Sequence, residues 1–410
     1  MASEKNSFLK DNYYLLIGVA VLNVSGFLFH FIMGRKLGPE NYGVLATLVA
    51  LTALLGIFST TIQFTISKFV ASFKTKKMFK ELRYLYISSN KKINNFFFVI
   101  FLLFLVVNIF LAKFLHISYW LLSIISLAIL TIPSLSVYRG FLQGLQKFRQ
   151  YGDTLSIEGS IKLVLAIIFV SVGWKVYGAI FAVILGYAAA LFYGWYKLKE
   201  YRIGEERAFA SKPLYDYTLP MFFTVLFFTA FYSIDLLLVK HFFPAIDAGN
   251  YAVISLLGKV VFFASFSVVQ VMFPKVVELS ESNSAHKNLM WKSWAMVVLI
   301  TIPILIVYYF FNEVVVNLLF GSAYLGVAAM IFPYGIFMTT VSLSKLMSLY
   351  LLSLKKFKFL YVFLLFFLAQ VVGIYFFHES LLQVIVVLET VGVVLLLLML
   401  VLTIGVKDNV

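Results

Sequence analysis

Apolar residues fill this chain in long runs, and short polar turns separate them. A helix that crosses a bilayer needs about 20 mainly apolar residues. By that measure the first half holds runs at 13–34, 42–67, 95–115, 118–139, 154–173 and 177–197. The second half holds runs at 214–239, 250–273, 290–311, 324–350, 358–377 and 381–404. The pattern predicts an all-α polytopic membrane protein with 12 transmembrane helices. Several runs exceed the minimum and have room to tilt. No loop is large enough to hold a folded extramembrane domain. The run after the polar opening "MASEKNSFLKDNYY" has no small-residue cleavage site and reads as a retained first helix, not a signal peptide.

The two halves repeat one another. "IQFTISKFVA" at 62–71 returns as "VQVMFPKVVE" at 269–278, pairing Gln63 with Gln270, Lys68 with Lys275 and Val70 with Val277. "LGPENYGVLATL" opens the second span and "PAIDAGNYAVISLL" the eighth, each placing a tyrosine (Tyr42, Tyr251) after a Pro/Gly-containing turn. "LQGLQKF" at 142–148 closes the fourth span and "LLSLKKF" at 351–357 the tenth. One nearly constant offset, 207–209 residues, relates all three pairs. Two six-helix lobes are expected, residues 1–205 and 206–410. Six is even, so both lobes enter the membrane in the same sense, related by a pseudo-twofold axis along the membrane normal. Such repeats are one of the two classes found in secondary transporters.

Charge sets the orientation. With a cytoplasmic N-terminus and alternating sides, 25 of the 33 Lys and Arg residues fall in cytoplasmic segments, five fall outside and three stay within spans. Lys and Arg collect in cytoplasmic loops, so both termini are expected in the cytoplasm of a cell with this protein in its inner or plasma membrane. The net charge of +15 therefore reports topology rather than nucleic-acid binding. The longest basic stretch, 68–94, reads as an amphipathic segment lying on the anionic inner leaflet.

Composition agrees. The chain is 62% hydrophobic and 12% charged, with mean hydropathy +0.98. Soluble domains are nearer a quarter charged. With no cysteine and five scattered histidines, there is no disulfide, thiolate site or ligand spacing for a metal. No nucleotide motif or other cofactor signature is present.

"GRKLGPENYGVLATLVALTALLGIFSTT", "SIDLLLVKHFFPAIDAGNYAVISLLGKVVFFASFSVVQVMFPKVVE" and "YRGFLQGLQKF" resemble the polysaccharide (O-antigen type) flippases of the multidrug/oligosaccharidyl-lipid/polysaccharide exporter superfamily. The resembling features of the second stretch are an acid in the seventh helix, a turn with Gly then Tyr, and a Phe-Pro closing the eighth. These stretches cover about a quarter of the chain. The resemblance implies a two-lobed transporter whose first, second, seventh and eighth helices line a cavity. It implies flipping of lipid-linked oligosaccharide, of the undecaprenyl-diphosphate type, from the inner to the outer leaflet. Glycosyltransferases or a polymerase of the same pathway would be its partners. Multidrug exporters and peptidoglycan lipid flippases are cousins, the latter with two further helices.

An ionisable side chain inside the bilayer is costly and needs a partner or water. Lys259 stands near the middle of the eighth span with no acid one turn away, and is a candidate for a diphosphate or acidic sugar. Arg139 and Lys345, near cytoplasmic span ends, and Arg35 beside Lys36, at the outer end of the first, either snorkel or line a mouth. Gln63 and Gln270 can hydrogen-bond a sugar or phosphate, or simply a neighbouring helix; Asn23 is similar. Asp235 is a candidate to take up H⁺ or Na⁺, or to pair with Lys240. Glu389 sits in a twelfth helix that the resemblance places away from the cavity, and a structural role leads there. Glu158 and Lys162 are four apart on one helix face, so a pair leads over ion coupling. Pro133, Pro220, Pro303 and Pro333 lie within spans and can kink them.

The leading expectation is an ion-coupled flippase working by alternating access, with no enzymatic activity. A drug/cation antiporter of the same superfamily is the alternative; it would want an acidic cavity. An integral-membrane glycosyltransferase, polymerase or ligase would need a catalytic carboxylate cluster and, usually, a large external loop, neither of which is visible. A channel suits a duplicated chain less well.

Overall fold

The computed structural model describes residues 2–209, 229–265, 284–354 and 356–406, with isolated positions between them. Every regular element among the described residues is helical. The chain divides into two compact units, Met1–Leu226 and Phe227–Val410. Several described residues between the sequence midpoint and this division pack on the first unit. Phe209 meets Phe73, Phe222 meets Phe58, and Thr218 Oγ1 lies 3.2 Å from Thr65 Oγ1.

In the first unit, α1 (Ala2–Thr75) carries the first two predicted spans. They are divided at Gly38, whose φ of 71° lies in the left-handed region that glycine reaches without strain. Pro39 follows, with a fixed φ suited to a helix start. Beyond it come α2 (Phe79–Leu115), α3 (Tyr119–Ser126), α4 (Ala128–Gly144), α5 (Phe148–Ser171) and α6 (Lys175–Lys197). The fourth predicted span is thus two helices, broken at Leu127.

The second unit holds α7 (Ile234–Phe242), α8 (Ala245–Ala264), α9 (Lys287–Phe310), α10 (Asn312–Phe320), α11 (Ile331–Ser353), α12 (Phe359–Phe376) and α13 (Leu381–Ile404). A 3₁₀ stretch, Ser322–Met330, leads into α11. Ten helical stretches among the described residues are long and apolar enough to cross a membrane. One of them, Ile17–Thr75, contains two predicted spans. The seventh predicted span, 214–239, is described in part, mainly over 229–239, and Pro220 within it lies outside the described residues.

The repeat is visible inside each unit as an equivalent packing order. In the first, the second span packs on the fourth, the third on the fourth, the fourth on the sixth, and the fifth on the sixth. In the second, α8 packs on α11, α9 on α11, α11 on α13, and α12 on α13, which are the same relations one half-chain later.

Close helix approach in the first unit depends on missing side chains. Gly140 and Gly144 on α4, four apart, face α1. A Cβ on Gly140 would come 2.8 Å from the Gln63 carbonyl oxygen, and one on Gly144 would come 2.6 Å from that of Ser67. This is the small-residue spacing that lets membrane helices approach one another.

The basic stretch 68–94 is the junction of two long helices. α1 runs on to Thr75, Lys76–Met78 turn, and α2 starts at Phe79. Leu82, Leu85 and Tyr86 are buried with Phe73, Phe141 and Leu142 in one core cluster. The apolar positions between the lysines find protein to pack on.

Candidate functional site

The second unit contains a buried acid held by tyrosines. Asp235, in the first turn of α7, is fully buried. Its Oδ2 accepts from the Tyr251 hydroxyl on α8 at 2.7 Å and from the Tyr334 hydroxyl on α11 at 2.7 Å. The Tyr334 oxygen also lies 3.2 Å from Ser255 Oγ, and the two phenol rings meet edge to face at 5.8 Å. Oδ1 is buried with no hydrogen-bond partner among the described residues.

Three helices build this arrangement. Tyr251 sits two turns into α8, where the turn after α7 aims it back at the start of that helix. Tyr334 reaches across because Gly258 has no side chain: a Cβ there would overlap the Tyr334 ring. Lys259 is the next residue. Its ammonium lies 6.0 Å from the centre of the Tyr232 ring. Tyr232 packs on Phe262 with ring centres 5.2 Å apart, and Lys345 from α11 lies 4.6 Å from the centre of the Phe262 ring. Two lysines therefore bracket an aromatic pair beside a buried acid.

The repeat-mate of Tyr251 has a different partner. Tyr42 is also fully buried, but its hydroxyl lies 3.1 Å from His30 Nδ1. The first unit does have an acid–tyrosine bond, Tyr193 donating to Asp153 Oδ2 at 2.5 Å, but it lies at another place in the repeat and is only part-buried.

The first unit has its own ionic cluster. Arg139 on α4 donates from Nη2 to Glu158 on α5 at 2.7 Å, both side chains being nearly buried. The same guanidinium donates to the Thr154 hydroxyl at 3.1 Å and the Thr154 carbonyl at 3.2 Å. Lys162, the partner expected from i,i+4 spacing, instead lies over the Phe29 ring at 5.3 Å. Arg139 wins because its planar fork bonds the Glu158 carboxylate and the Thr154 groups together. Gln63 donates to Gln143 Oε1 and to the Tyr151 hydroxyl, both at 2.9 Å.

The other sequence candidates stand apart. Arg35 and Lys36 are exposed before the Gly38 break, with Lys36 donating to Ser171 at 3.0 Å. Asn23 is exposed. Glu389 is half-buried in α13 and makes no ion pair or hydrogen bond among the described residues. Gln270 lies outside the described residues. Among the described residues, no group of three or more His, Asp or Glu side chains could hold a metal ion.

A chain of apolar helices in two units, each with buried charged side chains, is a multi-pass membrane protein of transporter architecture. Solved structures of that architecture align along almost its whole length. One is an inward-facing multidrug resistance MATE family transporter of the MOP superfamily: TM-score 0.80, 12% identity, 95% of this chain and 98% of that one. Another is the lipid II flippase MurJ in an inward closed conformation: TM-score 0.76, 13% identity, 96% and 88% covered. A third is a MOP superfamily transporter from Pyrococcus furiosus, described as having a binding pocket of reversed polarity: TM-score 0.63, 15% identity, 96% and 94% covered. An uncharacterised membrane protein of Methanocaldococcus jannaschii is 23% identical over 289 residues, 66% of this chain and 68% of its own length. Residues 8–280, more than half the chain, match the family model described as polysaccharide biosynthesis protein. The chain belongs to that family.

Proposed function

We propose that this protein is a flippase that carries lipid-linked oligosaccharide, of the diphosphate-linked type, from the inner to the outer leaflet of the cell membrane by alternating access. The reading draws on the family's description, polysaccharide biosynthesis protein, and on the similarity to a lipid II flippase. The observation that carries it is the pair Lys259 and Lys345 around the tilted Tyr232 and Phe262 rings. Two ammonium groups suit a diphosphate, and aromatic faces suit a sugar ring. Arg35, Arg139, Gln63 and Gln270 remain secondary candidates for substrate binding. Asp235 takes up the coupling ion, H⁺ or Na⁺, on its unpartnered Oδ1, and Glu158 and Glu389 are secondary candidates. Both termini lie in the cytoplasm, on the side richer in Lys and Arg.

A drug/cation antiporter is the second reading, supported by similarity to a multidrug transporter and by the buried acid at Asp235. Proteoliposomes separate the two. The flippase reading expects translocation of a fluorescent lipid-diphosphate oligosaccharide and no expulsion of a cationic dye. Dye expulsion without lipid translocation would overturn it.

A further inference from the structure

On the lipid-facing side of the first unit, α2, α4 and α6 enclose a groove of ≈ 450 Å³. Asn94, Phe98, Ser134, Tyr138, Phe192 and Trp195 line it. Phe98, Phe192 and Trp195 are 51%, 65% and 42% exposed, so their rings face whatever occupies the groove. The groove carries little polarity of its own, because Ser134 donates to Asn94 Oδ1 at 2.6 Å. An apolar trough between spans, open toward lipid, fits an acyl chain rather than a soluble ligand.

Its basic end is built differently. The Arg202 guanidinium stacks 3.6 Å above the Trp195 ring and donates to the Trp195 carbonyl. Its Nε is buried and has no hydrogen-bond partner among the described residues. Lys197 lies over Tyr193 and Tyr196, at 5.3 and 5.6 Å, and Lys199 lies over Tyr196 at 5.3 Å. The nearby acids are committed elsewhere: Glu200 to Lys147 at 2.5 Å, and Glu205 to Lys80. Three cations without an acid partner among the described residues thus cluster where Trp and Tyr mark the membrane interface.

We infer that this groove is a binding site for an anionic phospholipid of the surrounding bilayer. One acyl chain lies along Phe98, Leu130 and Phe192, and the phosphate sits on Arg202, with Lys197 and Lys199 around it. A planar guanidinium held flat on a ring presents its outer N–H edge to a phosphate oxygen. Basic pockets between helices at a membrane surface select anionic head groups. The site lies within the first unit and does not depend on what the protein transports.

The test uses the full chain in bilayer nanodiscs, with Trp195 kept and Trp120, Trp174, Trp291 and Trp294 changed to Phe. Brominated phosphatidylglycerol is expected to quench Trp195 at a several-fold lower mole fraction than brominated phosphatidylcholine. Arg202→Gln keeps a planar group over the ring and should weaken the phosphatidylglycerol midpoint about fivefold, one charge near the surface being removed. Lys199→Ala, at an exposed position, should act in the same direction without touching the packing. Ala188→Phe, which fills the groove, should weaken quenching by both lipids. Equal quenching by the two lipids would overturn the inference, as would an unchanged midpoint in all three variants. Recovery of fluorescence by millimolar inorganic phosphate would make the site one for a free anion and would overturn it too.

Discussion

Asp235 and Tyr334 are 99 residues apart in the chain and 2.7 Å apart in the fold. Tyr251 reaches the same carboxylate oxygen from a third helix. Within the membrane no water is at hand to replace either donor, so the two tyrosines hold one oxygen while the other stays open.

Tyr334→Phe removes one of these donors and leaves the ring in place. A hydrogen bond to a charged acceptor contributes about 1.5–3 kcal/mol. The variant is expected to lose stability of that order, seen as a lower thermal midpoint in detergent, and Tyr251→Phe should do the same. Because both tyrosines serve one oxygen, the double variant should depart from additivity.

Gly258→Ala tests how Tyr334 gets there. The added methyl overlaps the ring and forces it off the carboxylate. Overpacking of this kind costs about 1–3 kcal/mol. A measured loss in that range is expected from Gly258→Ala but not from Gly26→Ala, whose Cβ would meet nothing within 4 Å.

The Arg139–Glu158 pair offers a second test. Removing one partner of a buried pair leaves an uncompensated charge and costs about 3–5 kcal/mol. Glu158→Gln and Arg139→Met should each destabilise strongly, whereas the double variant Arg139→Met/Glu158→Leu should recover most of the loss. Lys162→Met should cost far less than Arg139→Met, because Lys162 rests on Phe29 instead of on the carboxylate. Thermal melts of the four proteins decide this.

Outside the membrane, Lys80 holds the Glu205 carboxyl below its ordinary value, first by a hydrogen bond and then by its charge. A lowered value means that the contact stabilises above the unfolded pKa and is lost as the pH falls through the folded one. Deuterium exchange in the 199–209 segment, corrected for intrinsic rates, should rise below about pH 4 and stay level between about pH 6 and 8. Glu205→Gln should abolish the acid-dependent rise.

Much of the fold was legible because lipid imposes a length on every spanning helix. The break at Gly38–Pro39, the duplication and the isolation of Asp235 and Lys259 in apolar runs could all be read from residue order. What brings those two charges into one unit with Tyr232 and Tyr334 could not. A tyrosine that donates to a buried carboxylate looks, in sequence, like any of the 24 tyrosines. Tyr251 stood out only as a marker of the repeat. Gly258 gave no sign of its role, because clearance for a ring on another helix has no local pattern. Spacing alone paired Glu158 with Lys162; the fold brought Arg139 from a different helix. Gly140 and Gly144, by contrast, carried a readable signal in their four-residue separation.

The central claim is that the second unit moves an anionic lipid head group through Lys259 while Asp235 carries the coupling ion. The most direct measurement is the rate at which reconstituted protein translocates a fluorescent lipid-diphosphate oligosaccharide under an imposed H⁺ or Na⁺ gradient. The account predicts that Lys259→Ala inserts normally but loses translocation. It predicts that Asp235→Asn loses the response to the gradient. Wild-type rates and wild-type gradient dependence in both variants would contradict it.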